Sequence, residues 1–247
     1  RKEFTRRGGQ SAINARVLSE DDGDSSGPTR RVFLRTSFAT APMALLTGMV
    51  MASRSQEGRL VVHRHRLAAP WLPIRLHGLT ITHLSDLHVG RHYRPYMLRE
   101  LVEKANGLDS DLVVVTGDLV DLSNDLLPPT LHALSQLSHR HGLFICIGNH
   151  DEIDNRPEFV REVRRRFPLL LNEHRVLEIG GERITIGGLD YAERDGPSSR
   201  RAGHVANAAA VLSGYNSRRD GPMIAISHHP HVFDVLAPQG VPLTLAG

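Results

Sequence analysis

Short unbroken apolar runs alternate with longer amphipathic stretches through residues 59–247, and the two patterns predict different elements. Leu112-Val113-Val114-Val115, Leu143-Phe144-Ile145-Cys146-Ile147 and Met223-Ile224-Ala225-Ile226 have no polar alternation, the signature of strands covered on both faces. Strands are predicted at residues 60–63, 79–84, 112–116, 143–147, 176–179, 184–188, 223–227 and 243–246. Helical spacing appears around residues 95–106, 129–139, 157–167 and 231–237, and Pro95, Pro129 and Pro157 sit where a first helical turn tolerates proline. Strand–helix–strand alternation predicts a layered α/β (α+β) domain, its sheets sandwiched and flanked by helices. Residues 178–186, turning at Gly180-Gly181, predict an antiparallel hairpin, so the sheets are expected to be mixed.

The first 52 residues break this pattern. Residues 1–28 are rich in Arg, Ser, Gly and Asp with little apolar periodicity, which predicts a disordered extension. Arg30-Arg31-Val32-Phe33-Leu34-Arg35 and the modestly apolar residues that follow resemble a twin-arginine export signal over residues 29–52, cleaved or kept as an N-terminal anchor. Export machinery of that type, a membrane surface and a periplasmic or outer-face location are the expectations attached to it. The globular domain is expected over residues 53–247.

Charge sharpens the division. The formal net charge is +3, and residues 1–52 hold eight Lys/Arg against five Asp/Glu, so the excess lies there and residues 53–247 are balanced. No basic stripe with interleaved aromatics stands out, which argues against nucleic acid as a partner. All 15 histidines follow residue 52, an enrichment that suits metal or phosphate chemistry. Cys146 lies inside an apolar run and reads as a small core residue.

The chemistry lies where apolar runs end. Ser85-Asp86-Leu87-His88, Gly117-Asp118, Gly148-Asn149-His150-Asp151 and Ser227-His228-His229 each follow a predicted strand. Open α/β sheets place ligands beyond the carboxyl ends of their strands. Carboxylates, imidazoles and an amide oxygen gathered there suit divalent cations, and without thiolate they fit Mn, Fe or Zn. Asp121 is a further carboxylate near Asp118. Asp190-Tyr191 reads as a turn beside the cleft, and His229 and His231 as exposed or helix-capping residues that can reach a phosphate.

Asp-x-His, Gly-Asp, Gly-Asn-His-Asp and a later His after an apolar strand resemble the calcineurin-like metallophosphoesterases, over roughly residues 79–247. With the twin-arginine leader, the run from Ile226 to Asp234 resembles the exported or membrane-associated branch. The resemblance implies that Asp86 and His88 hold a first ion, Asp118 bridges, and Asn149 and His228 hold a second. It implies that His150 acts beside the substrate and that Asp151 orients His150. The reaction implied is two-metal hydrolysis of phosphodiester or pyrophosphate bonds, with a lipid-linked or nucleotide-sugar-lipid substrate among the possibilities. A phosphomonoesterase or nuclease of the same fold is the catalytic alternative.

The family pattern ends on Gly-His-x-His, and the sequence stops at Leu245-Ala246-Gly247. The expectation is a domain without its last strands and without one imidazole for each ion, hence an impaired chain. A non-catalytic metal-binding scaffold is the corresponding alternative.

Overall fold

The computed structural model describes residues 60–90, 93–191 and 197–247, with the backbone alone for 197–199. The expected disordered extension (1–28) and twin-arginine segment (29–52) lie outside the described residues. Strands β1 (Ile81–Leu84), β2 (Leu112–Thr116) and β3 (Gly142–Cys146) form a parallel sheet in that order. Leu84 pairs with Val115 and Thr116 with Cys146, so the three strands end nearly flush. A second sheet runs β4 (Glu173–Ile179), β5 (Glu182–Gly188), β6 (Met223–Ser227) and β7 (Leu243–Ala246). The β4–β5 pair is the predicted antiparallel hairpin, while β5–β6 and β6–β7 are parallel.

The side-chain period of two sorts each apolar strand between two cores. Leu112, Val114, Phe144 and Cys146 face inward and meet Ile184, Ile186, Ile224 and Ile226 of the second sheet. Their neighbours Val113, Val115, Leu143 and Ile145 face outward, toward α1 (Leu98–Asn106), α2 (Leu127–Leu134) and α3 (Arg156–Arg164). On the far side, Met223 and Ala225 pack against Ala208 and Val211 of α4 (Pro197–Leu212) and Leu236 of α6 (Phe233–Leu236). A four-residue helix, α5 (Ser217–Asp220), leads into β6. The layers are helix, sheet, sheet, helix, which is the mixed α/β arrangement expected. Cys146 is fully buried in the inter-sheet core, and burial pushes its thiol up, as befits a core residue.

Two expectations are corrected. Residues 60–63 form no strand, because no neighbouring strand supplies a ladder. Val61 is 62% exposed there, and Leu60 is held by its half-buried side chain against the helix-side core and by its carbonyl, which accepts from Lys104 Nζ. The segment at 231–237 is a succession of short turns around α6. The strand at 112–116 has its predicted bounds, and so do those at 223–227 and 243–246.

Candidate metal centre

The carboxyl ends of β1, β2, β3 and β6 open on one rim, and the four polar segments lie there. Asp86, His88 and Asp118 all have left-handed backbone, with φ of 53°, 41° and 54°. Non-glycine residues adopt this region rarely, and three such residues at one rim mark a place where side-chain direction outweighs backbone comfort. Cross-loop hydrogen bonds hold the bend. The Asp86 amide donates to the Gly117 carbonyl (3.2 Å) and the His88 amide to the Asp118 carbonyl (2.9 Å).

Glycine makes the next approach possible. A Cβ on Gly117 (φ 87°) would lie 2.5 Å from the Gly148 nitrogen, and one on Gly148 would lie 2.1 Å from Asp118 Oδ1. The β2 and β3 loops therefore touch backbone to backbone. In that contact the His150 amide donates to Asp118 Oδ1 (2.8 Å), fixing one oxygen of a carboxylate that is almost wholly buried.

The other oxygen is the focus of the site. Asp118 Oδ2 lies 3.4 Å from His88 Nε2 and 3.4 Å from His228 Nε2. His88 Nε2 is also 3.6 Å from Asp86 Oδ1, and Ser85 Oγ donates to the other Asp86 oxygen. His228 Nδ1 donates to the Thr116 carbonyl (2.8 Å), so in the neutral ring Nε2 carries a lone pair. That lone pair faces Asn149 Oδ1 at 3.0 Å. Two acceptors aimed at each other beside a buried carboxylate repel unless a cation lies between them. The donor set therefore fits divalent metal: carboxylate, imidazole and amide oxygen, with second-row partners already fixing the rings.

Ligand-capable atoms gather within 4.8 Å in two groups that share Asp118, namely Asp86–Asp118–His228 and His88–Asp118–His150. Each residue expected to bind metal is at this rim. Asp86 is within reach of both rings, grouped with His228 there and 3.6 Å from His88 Nε2 through Oδ1, while His150 falls with His88.

Asp151 is the clear correction. The His150 ring is oriented by Asp121, whose carbonyl accepts from Nδ1 at 2.6 Å and whose Oδ1 lies 3.4 Å away. Asp121 Oδ1 is also 3.9 Å from His88 Nδ1. Asp151 sits beneath, where its carboxylate accepts from the amides of Gly148 (3.0 Å), Asp118 (2.9 Å), Leu119 (2.8 Å) and Val120 (3.4 Å). Burial pushes its carboxyl up to about 7, against the pull of those amides. The residue ties the β2 and β3 loops together; a carboxylate saturated by four backbone donors has no geometry left for the imidazole.

Two further features border the rim. Arg156, at the first turn of α3, clasps Asp190 with Nη2 at 2.8 and 2.7 Å from its two oxygens, and Asp190 accepts the Tyr191 amide. The Tyr191 ring stands 6.0 Å from that of His228. Nothing in the sequence links Arg156 to residue 190, 34 positions away; only the fold does. His229, next to His228, lies between His204 of α4 (ring centroids 4.6 Å) and His231 (5.0 Å), with the rings tilted against one another.

A family model described as calcineurin-like phosphoesterase matches residues 79–241. The chain is 29% identical over 222 residues to a transmembrane protein with metallophosphoesterase domain from Danio rerio, covering 88% of this chain and 48% of that protein. It is 33% identical over 121 residues to the UDP-2,3-diacylglucosamine pyrophosphatase LpxG of Chlamydia trachomatis, covering 49% of this chain and 37% of that one. It is 27% identical over 161 residues to an uncharacterized metallophosphoesterase of Bacillus subtilis, covering 62% and 54%. The chain thus spans about half or less of the length of these relatives.

Proposed function

Because the chain belongs to the calcineurin-like phosphoesterase family, we propose that it hydrolyses phosphodiester or pyrophosphate bonds at a dinuclear divalent-metal centre built around Asp118. The observation that carries this reading is the convergence of His88 Nε2 and His228 Nε2 on Asp118 Oδ2, each at 3.4 Å. Asp86 and Asn149 complete the set of oxygen donors.

Divalent ions bound there supply Lewis acidity and neutralise charge on the phosphoryl oxygens. The chain's own residues do the rest. The Thr116 carbonyl holds the proton of His228 on Nδ1 and presents Nε2 to the centre. Asp121 does the same for His150 through its carbonyl, which leaves His150 Nε2 as the atom able to hold or release a proton at the leaving oxygen. Buried Asp118, fixed through its other oxygen, cannot swing away from the shared position.

A lipid-linked or nucleotide-sugar-lipid substrate is part of the proposal. It is supported by the likeness to a diacylglucosamine pyrophosphatase and to transmembrane proteins with a metallophosphoesterase domain. Export by the twin-arginine route to the outer face of the membrane is likewise proposed, on the strength of Arg30-Arg31 and the apolar residues after them. Among the described residues no helix is long and apolar enough to cross a membrane.

The test is hydrolysis of bis(p-nitrophenyl) phosphate and of a nucleoside-diphosphate sugar after loading with Mn²⁺, Fe²⁺ or Zn²⁺. Turnover is expected only with metal, to vanish with a chelator, and to fall by at least about 10³-fold in Asp118→Asn, a loss near 4 kcal/mol of transition-state stabilisation. Activity indifferent to chelation or to Asp118→Asn would sink the reading.

A further inference from the structure

Beside the metal centre stands a second cluster whose chemistry is of the opposite sign. His204 of α4 is 5% exposed, and its Nε2 is buried with no hydrogen-bond partner among the described residues. Its ring lies 4.6 Å from that of half-buried His229, which lies 5.0 Å from that of exposed His231. Arg200, one helical turn before His204, is exposed and close enough to act electrostatically on both His204 and His229.

The surrounding charges decide what such a cluster can take. Among the described residues, the groups that act most on His229 are imidazoles and a guanidinium: His204, His231, Arg200 and His228. By contrast His88, in the metal centre, has Asp86, Asp118 and Asp121 within 4 Å. Among the described residues the groupings fit to hold a cation are the two around Asp118, and the rings of His204, His229 and His231 are not among them. A cluster rich in N–H groups, with no carboxylate acting on His229 among the described residues, suits an anion.

One donor is ready without any change of protonation. His229 Nδ1 accepts the His231 amide, so its neutral ring carries the proton on Nε2. His204 Nε2, left without a partner, costs the free protein roughly 1–3 kcal/mol if it stays unpaired. The atom is closed to solvent, so a ligand oxygen reaches it only when a neighbouring side chain shifts, and it then removes that cost. The cluster also adjoins the centre, because His229 directly follows His228.

We propose that His204, His229 and His231, with Arg200, form a subsite for a second phosphoryl group, so that the substrates of the Asp118 centre are diphosphate-bridged rather than simple diesters. One phosphorus would lie at the metal centre for attack, while the oxygens of its neighbour accept from the imidazole N–H groups and from Arg200. The proposal rests on the phosphoesterase reading for the first phosphoryl position. The second position is read from the histidine cluster alone.

Calorimetric titration of the metal-loaded chain with methylenediphosphonate and with methylphosphonate tests the subsite without turnover. The wild type should favour the diphosphonate by at least about tenfold, the worth of one good hydrogen bond to a charged group. His204→Leu should remove most of that preference, His204→Gln should restore part of it, and Arg200→Gln, at an exposed site that tolerates change, should weaken the diphosphonate selectively. Kinetically, His204→Leu should raise KM for a nucleoside-diphosphate sugar by a factor at least fivefold larger than for bis(p-nitrophenyl) phosphate. Equal weakening of both phosphonates, or a preference untouched by His204→Leu and Arg200→Gln, would overturn the subsite. Absence of all hydrolysis with the diphosphonate preference intact would instead overturn the catalytic reading and leave the subsite standing.

Discussion

Asp151 and Asp121 exchange the tasks that sequence position suggests for them. In Gly148-Asn149-His150-Asp151 the carboxylate adjoins the imidazole in sequence, which makes it the natural orienting group. In the fold, the tight turn at Asn149–Glu152 sends Asp151 inward, under the β2 loop, and Asp121 arrives from that loop to meet the His150 ring. Sequence adjacency says little about which ring nitrogen a group reaches; the turn decides it. The consequence is a stability effect at a residue that resembles a catalytic one. Asp151→Ala would leave the amides of Gly148, Asp118 and Leu119 buried without acceptors. The expected cost is about 3–5 kcal/mol, the range for breaking a buried charged network, read as a lowered urea midpoint in metal-free protein. A purely orienting residue would leave that midpoint in place and change only activity.

Among the elements, the strands were the legible part of the sequence and the long helix α4 was not. Runs such as Leu112–Thr116 and Met223–Ser227 are apolar on both faces because a sheet lies on one side and helices on the other, so composition alone marks their bounds. Helix α4 buries His204 together with Ala208 and Val211 and leaves Val205 half exposed, so its apolar period is faint. Residues 60–63 err the other way, since alternation alone cannot report the absence of a partner strand. The candidate metal-binding residues are legible because each follows an apolar run; what no pattern carries is the contact between the β2 and β3 loops. Gly148 tests that contact. In Gly148→Ala the new Cβ would fall against the Asp118 amide, which is backbone, and against Asp118 Oδ1, a buried side-chain oxygen held by the His150 amide. The loops must part, at a cost of about 1–3 kcal/mol for overpacking. Because Asp118 moves with them, metal affinity measured by calorimetry should fall by at least about tenfold, the equivalent of 1.4 kcal/mol. Unchanged affinity would show that the loop contact does not set the Asp118 position.

At the scale of the whole molecule, the centre is where two sheets are tied together. Asp86, His88, Asp118, Asn149 and His150 follow strands of the first sheet, whereas His228 alone follows β6 of the second. His228 already crosses the gap by donating to the Thr116 carbonyl at the end of β2, and its Nε2 adds the approach to Asp118 and Asn149. Below the rim the sheets are joined by apolar contact, Val114 and Phe144 against Ile186 and Ile224. Such contact is strong but carries no dependence on ions. An ion held by Asp118 and His228 together would therefore couple the sheets through bonds present only when it binds. Metal at a hundredfold excess over its Kd should stabilise the wild type by about 2.7 kcal/mol for each site that binds only the folded state. His228→Ala keeps Asp86, His88 and Asp118 on the first sheet and loses the cross-sheet ligand, so roughly half of the metal-induced rise in thermal midpoint should remain. Hydrogen exchange adds the spatial test: metal should slow the amides at the ends of both β2 and β6 in the wild type, and only those of the first sheet in His228→Ala. Slowing that persists at the end of β6 in the variant would mean that the ions act on one sheet and the other follows through packing alone.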